Sequence, residues 1–184
     1  MIDLAQGSLP SELVVGGEAY GIDTSFRTWL RVQRKLESTG AWDGSIFLAA
    51  PPRLDWRPAA REFLASENPC PHGTRGGGAR ALDLLADGDL VVAAFQQAYG
   101  IDLTAGDMHW HRFLALLRGL PSDTLLSQVM GIRSWVRTDE RGRLLEERER
   151  LRSEWALPRE DDAALVALQG EWLDGIDYEP VGED

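Results

Sequence analysis

A few places in the chain carry residue types that could do chemistry. His109-Trp110-His111 offers two imidazoles, suited to holding zinc or moving a proton. Their spacing argues against a shared ion, because residues two apart on a helix point in different directions and a common ligand face needs three or four. Cys70 and His72 stand in a Pro and Gly stretch with no second cysteine in the sequence, so the thiol reads as incidental rather than nucleophilic. Gly73-Thr74-Arg75-Gly76-Gly77-Gly78 has the glycines of a phosphate loop but neither a following lysine nor a preceding buried strand. A flexible linker is the plainer reading. The carboxylate pairs Asp87 with Asp89 and Asp161 with Asp162 lie where helix starts favour acids, so capping accounts for them without an acid-base role. No catalytic residue, metal ligand or cofactor is expected, and the chain reads as non-enzymatic.

The composition sets the frame around these residues. The 184 residues carry 19 basic and 30 acidic side chains, a formal charge of −11, and the pI is about 4.7. That length suits one domain with a core of its own. An apolar share of 43% and a charged share of 27% are those of a folding chain. The longest apolar run, Leu90 to Phe95, is too short to span a membrane, and no basic-then-apolar start suggests export. With one cysteine no intrachain disulfide can form, and a reducing cytoplasm is the expected compartment. The acidic balance disfavours nucleic acid, whose phosphates reward clustered Lys and Arg. Arginines between Arg133 and Arg152 are interleaved with glutamates, which largely cancels the field an RNA-binding regulator would use.

The elements follow from hydrophobic spacing and punctuation. Leu13 to Ile22 places two apolar runs around Gly16-Gly17, which predicts a hairpin over 11–22. Asp23 or Thr24 can cap a helix over about 25–38, whose stripe is Phe26, Trp29, Leu30, Val32 and Leu36 and whose stop is Gly40. A short helix over Arg57 to Ala65 follows, then a mobile Pro and Gly loop over 67–80. Leu90, Val91, Ala94, Phe95 and Ala98 form the next stripe, closed by Gly100 as a left-handed cap with Ile101 after it. Thr104 and Asp107 resemble a capping box, which predicts a helix from Thr104 to Arg118 carrying Trp110, Phe113, Leu114 and Leu117 and stopped at Gly119-Leu120-Pro121. A further helix is expected from Asp123 to Trp135, opened by Ser122 or Asp123, with Leu125, Leu126, Val129 and Met130 inward. Between Arg137 and Glu154, Glu146 and Arg150 stand at pairing distance, and Leu144, Leu151 and Trp155 form a thin seam. Leu165, Leu168 and Trp172 mark a last helix before an acidic tail. The expected organisation is one helical domain over 1–158, then a C-terminal helix and tail over 159–184. The fold class is mainly α, a compact bundle of about five or six helices with a small N-terminal β-hairpin.

Seven tryptophans in such a chain point to core or interface anchors. Trp29 and Trp110 lie on apolar stripes and are expected in the core. Trp135, Trp155 and Trp172 occur where the stripes are thin, and suit a protein partner.

Several segments together resemble the bacteriophage Gp15 family: Ile22-Asp23-Thr24-Ser25-Phe26-Arg27-Thr28-Trp29, Ala93-Ala94-Phe95 to Tyr99-Gly100-Ile101-Asp102-Leu103, His109-Trp110 before Phe113 to Leu117, Gly119-Leu120-Pro121 before Asp123-Thr124, and Val129-Met130-Gly131-Ile132-Arg133. The resemblance covers about Leu9 to Lys35 and Asp87 to Arg133, leaves out Gly40 to Arg80, and is loose in the carboxy-terminal third. It implies a gene near the tape measure gene and a role similar to a tail assembly chaperone. Such a protein binds the helical, aggregation-prone tape measure protein in the host cell cytoplasm and is absent from the mature virion. A longer frameshifted product, or a second copy of this chain, would be a further partner. The expected partner-binding residues are Trp110, His111, Arg118, Arg133 and Trp135, on the helices from Thr104 and Asp123. The competing readings are a structural minor tail component retained in the virion and, more remotely, a small hydrolase.

Overall fold

The computed structural model describes residues 7–65, 80–137 and 141–158. Within them the chain forms a two-stranded antiparallel hairpin, β1 (Glu12–Val15) and β2 (Glu18–Gly21), and six helices: α1 (Phe26–Thr39), α2 (Arg57–Ala65), α3 (Gly88–Tyr99), α4 (Trp110–Arg118), α5 (Leu125–Ser134) and α6 (Arg143–Glu154). A single 3-10 turn, Gly44–Ile46, follows α1. The expected mainly helical bundle with an N-terminal hairpin is the fold observed. All of the loop over 67–80 except Arg80, with Cys70, His72 and the glycine run, and the C-terminal helix with Asp161, Asp162 and Trp172, lie outside the described residues.

The hairpin turns on Gly16 and Gly17, at φ 63° and 88°, the pair of positive values that a two-residue turn demands. β1 alternates, with Leu13 and Val15 buried and Glu12 and Val14 exposed. Residues 46–48 close the outer side of β2, where Leu48 N–H donates to Gly21 O and Asp23 N–H donates to Ile46 O.

α1 begins one residue later than a Thr24 cap would place it and two later than an Asp23 cap would. Ser25 is the cap, its hydroxyl accepting from Arg27 N–H at 3.2 Å. Asp23 instead braces the cap: its carboxylate accepts from Ser25 N–H and Thr28 Oγ1, and its carbonyl accepts from the Trp29 indole N–H at 2.8 Å. Gly40 ends the helix at φ 67°, as its place after the last apolar residue predicts.

The largest difference concerns α4. Its first residue is Trp110 and its cap is His109, whose Nδ1 accepts from His111 N–H at 3.1 Å. Thr104 does not open a helix; its N–H and hydroxyl both donate to Asp102 Oδ1, a local turn that competes with helix formation. The start of α4 is held against the start of α1 by two reciprocal backbone bonds, Phe26 N–H to Met108 O at 2.9 Å and Trp110 N–H to Thr24 O at 2.7 Å. Those bonds help gather Phe26, Phe95 and Trp110 around Phe113, with ring centroids 5.0, 5.3 and 5.7 Å from it. Trp29, fully buried, lies 4.5 Å from the Phe63 ring of α2. Trp29 and Trp110 are therefore core residues, as their stripes predict.

α3 ends as expected, with Gly100 at φ 64° and Ile101 N–H donating to Phe95 O. Gly119 ends α4 differently, at φ −87°. What it provides is room: a Cβ there would sit 3.2 Å from the Tyr99 hydroxyl, which donates to Leu116 O at 2.8 Å. α5 runs from Leu125 rather than Asp123, capped by Thr124, whose hydroxyl accepts from Ser127 N–H. Leu126 and Val129 are fully buried, but Leu125, the first helical residue, is 48% exposed. On α6 no residue is buried; Leu145 rather than Leu144 is half-buried, and Arg150 reaches forward to Glu154 at 2.9 Å instead of back to Glu146.

Candidate partner-binding surface

Two of the five expected partner-binding residues sit in the bundle interior, on the buried side of α4. Trp110 is 2% exposed, and its indole N–H donates to Leu64 O at 3.0 Å. His111 is 4% exposed, stacks on Phe63 at 4.3 Å, and donates from Nε2–H to Phe63 O at 2.8 Å. Burial pushes the His111 pKa below the usual imidazole range, so the ring is neutral near pH 7. His109 lies just outside the helix, which lets its ring come within 5.3 Å of His111, closer than two helical residues at this spacing would stand. Its Nε2 meets Pro10 O at 2.8 Å. Among the described residues no three His, Cys, Asp or Glu side chains gather as metal ligands do.

Arg133 is the third buried member, at 7% exposure, and its partner is Asp87, at 3%. The two form a bidentate pair, Nη1 to Oδ2 at 2.6 Å and Nη2 to Oδ1 at 2.8 Å. Arg133 also donates to Ala81 O and Trp155 O, and Asp87 Oδ2 accepts from Asp83 N–H at 2.9 Å. Asp87 precedes α3 but makes no side-chain cap bond there; the capping account of this carboxylate gives way to a buried ion pair. One guanidinium thus fastens the segment before α3, the end of α5 and the end of α6. Its fork geometry suits this role in a way an ammonium would not.

The other two expected residues remain partly accessible. Trp135 caps the end of α5, half-buried, with the Arg148 guanidinium 5.7 Å from its ring centroid. Arg118 is half-buried and engaged in a contact of its own.

A second aromatic group, none of it on α4 or α5, runs from β2 through the 3-10 turn region to the start of α2. Tyr20, Phe47, Trp56 and Trp42 meet edge to face in sequence, at centroid distances of 6.3, 5.1 and 5.8 Å. The two tryptophans flank a groove of about 390 Å³ between the end of α1 and the start of α2, lined also by Gly40, Ala41 and Arg57. Beside this band Leu48 is 74% exposed and Leu54 61%. The Leu54 side chain lies over Gly16, where any added Cβ would collide with it. Trp42 and Trp56 fall in the segment where hydrophobic periodicity is weakest, so spacing did not single them out. The signal available was composition: two tryptophans and Pro51-Pro52 within 15 residues that belong to no helical stripe.

The family model described as Bacteriophage Gp15 protein matches residues 59–157, more than half of the chain and nearly all of the span from α2 to α6. The match takes in the Asp87 to Arg133 stretch that carries most of the resemblance and extends to both sides of it. The hairpin and α1 lie outside it. No curated protein and no solved structure matches. Because that match spans more than half of the chain, the chain belongs to the bacteriophage Gp15 family.

Proposed function

We propose that this phage protein is a tail assembly chaperone: it binds the tape measure protein without catalysis in the host cell cytoplasm and is left out of the mature virion. The observation that carries the reading is the aromatic band. Two half-exposed tryptophans flank a groove, with Leu48 and Leu54 exposed beside it, and that arrangement accepts the apolar face of a partner helix at i, i+3 and i+4 spacing. The charge of −11 keeps a complex with an apolar client soluble. Family membership supplies the phage setting.

The test is co-expression of the full chain with helical fragments of the neighbouring tape measure protein, followed by size-exclusion chromatography with light scattering. A defined soluble complex is expected. Trp42→Ala with Trp56→Ala should weaken it at least tenfold while far-UV circular dichroism stays unchanged. Absence of any complex, together with detection of the protein by mass spectrometry in purified virions, would favour the minor tail component.

A further inference from the structure

The hairpin has one side closed by residues 46–48 and one side, flanked by α2, whose outward backbone groups are unbonded among the described residues. Ile22 N–H donates to Ser11 O, and the pairing alternates from there: Leu13 with Tyr20 and Val15 with Glu18 exchange bonds, while Glu12 opposite Gly21 and Val14 opposite Ala19 do not. The backbone N–H and C=O groups of Glu12 and Val14 therefore point away from β2, and among the described residues nothing bonds them. On the β2 side the corresponding carbonyl of Gly21 is taken by Leu48 N–H. An unpaired strand edge is a template for another extended chain.

Beside that edge is a cavity of about 330 Å³, lined by Glu12, Leu13 and Val14 of β1 and by Glu62, Phe63 and His111 among others. Side chains of consecutive strand residues point to opposite faces, so a space that touches three in a row lies along the edge itself. Its chemistry is that of an acceptor. Glu12 and Glu62 are exposed carboxylates. His111, 4% exposed, uses Nε2–H on the Phe63 carbonyl, which leaves Nδ1 as a buried acceptor with no partner among the described residues.

We propose that the β1 edge and this acidic cavity form a docking site for an extended, basic segment of a partner protein, which adds a strand beside β1 and seats a Lys or Arg side chain between Glu12 and Glu62. A second copy of this chain is a poor occupant, since it brings a net charge of −11 to a site lined by carboxylates. The proposal is independent of the tail-assembly reading, because it uses the opposite side of the hairpin from residues 46–48 and a different ligand shape.

The experiment uses the full chain and two capped seven-residue peptides, one alternating valine with lysine and one alternating valine with glutamate. Amide exchange is followed residue by residue by NMR, and affinity by titration calorimetry. The lysine peptide should bind and slow exchange at the Glu12 and Val14 amides, and the glutamate peptide should bind at least tenfold more weakly. Glu62→Gln should weaken the lysine peptide several-fold. Val14→Pro removes an outward N–H that the hairpin does not use and should abolish binding; if that variant loses the hairpin, Glu12→Gln with Glu62→Gln carries the same expectation. Equal affinity for the two peptides, or binding that leaves both amides unprotected, overturns the proposal. So does a peptide-free dimer that protects the same two amides, which would assign the edge to a second copy.

Discussion

Removing the Asp87 carboxylate should be among the most damaging single changes available outside the apolar core. At 3% and 7% exposure, Asp87 and Arg133 have exchanged hydration for each other, and Asp87→Ala leaves a guanidinium buried with two donors unanswered. Breaking a buried pair from one side costs about 3–5 kcal/mol. The exposed Lys35–Asp43 pair, at 46% and 39%, is worth about 0–1 kcal/mol by contrast. For a domain of this size the larger figure corresponds to a fall in Tm of about 10 °C. It is also a large share of a total stability of about 5–15 kcal/mol. Urea unfolding followed at 222 nm on Asp87→Ala, Arg133→Met and the double variant would measure it. The double variant should recover most of the loss, because two apolar side chains need no partner. Since Arg133 also holds Trp155 O, amide protection along α6 should drop in both single variants before global unfolding. A cost below about 1 kcal/mol for Asp87→Ala would refute the reasoning, because such a value belongs to a solvated surface pair.

Other outcomes follow from single contacts. Gly119→Ala should destabilise by about 1 kcal/mol through displacement of the Tyr99 hydroxyl from Leu116 O, and Tyr99→Phe should remove most of the penalty; equal costs in both backgrounds would exclude that contact as the cause. Gly100→Ala forces a side chain to φ 64° and should cost about 1–2 kcal/mol in thermal unfolding. The His111 ring, held neutral by burial, should titrate by NMR below the ordinary histidine midpoint. Because the folded protein then binds fewer protons than the unfolded chain, stability should be full above about pH 6.5 and fall as pH drops below it. Asp43 works at lower pH: the Ser45 backbone N–H, with Lys35, holds its carboxylate down at about 2, so its share of stability, present above the ordinary carboxylate pKa, should be lost between about pH 4 and pH 2.

Much of the fold was legible because its signals are local. Gly16-Gly17, Gly40 and Gly100 each stand where only a positive φ completes the turn, and the stripes around Trp29, Phe95 and Phe113 have helical spacing that needs no tertiary knowledge. The start of α4 was misread because His109 is an uncommon cap, whereas Thr104 and Asp107 match a common pattern that here serves a turn around Asp102. Asp87 and Arg133 are 46 residues apart, and their pairing is a property of packing alone. The same is true of the aromatic band, whose members come from the hairpin, the 3-10 turn region and the approach to α2. A face buried by one helix repeats along the sequence, while a surface assembled from several short segments leaves no periodic trace. Arg133 and His111, expected at a partner surface, are buried, where the guanidinium answers Asp87 and the imidazole Nε2–H answers the Phe63 carbonyl.

The meeting of Thr24 and Phe26 with Met108 and Trp110 also has a consequence for how the protein is made. On the ribosome, the apolar face of α1 emerges long before its counterpart exists, because Phe113 follows Phe26 by about 87 positions. At roughly 5–20 residues per second, the nascent chain holds that face unsatisfied for on the order of ten seconds. Trp29 can meet Phe63 earlier, so the amino-terminal half has a provisional neighbour during the wait. Completion of the aromatic cluster, and with it the docking of α1 onto α4, is a late event of synthesis, and chains truncated before Phe113 should expose the same tryptophan and phenylalanine surface that the finished molecule encloses.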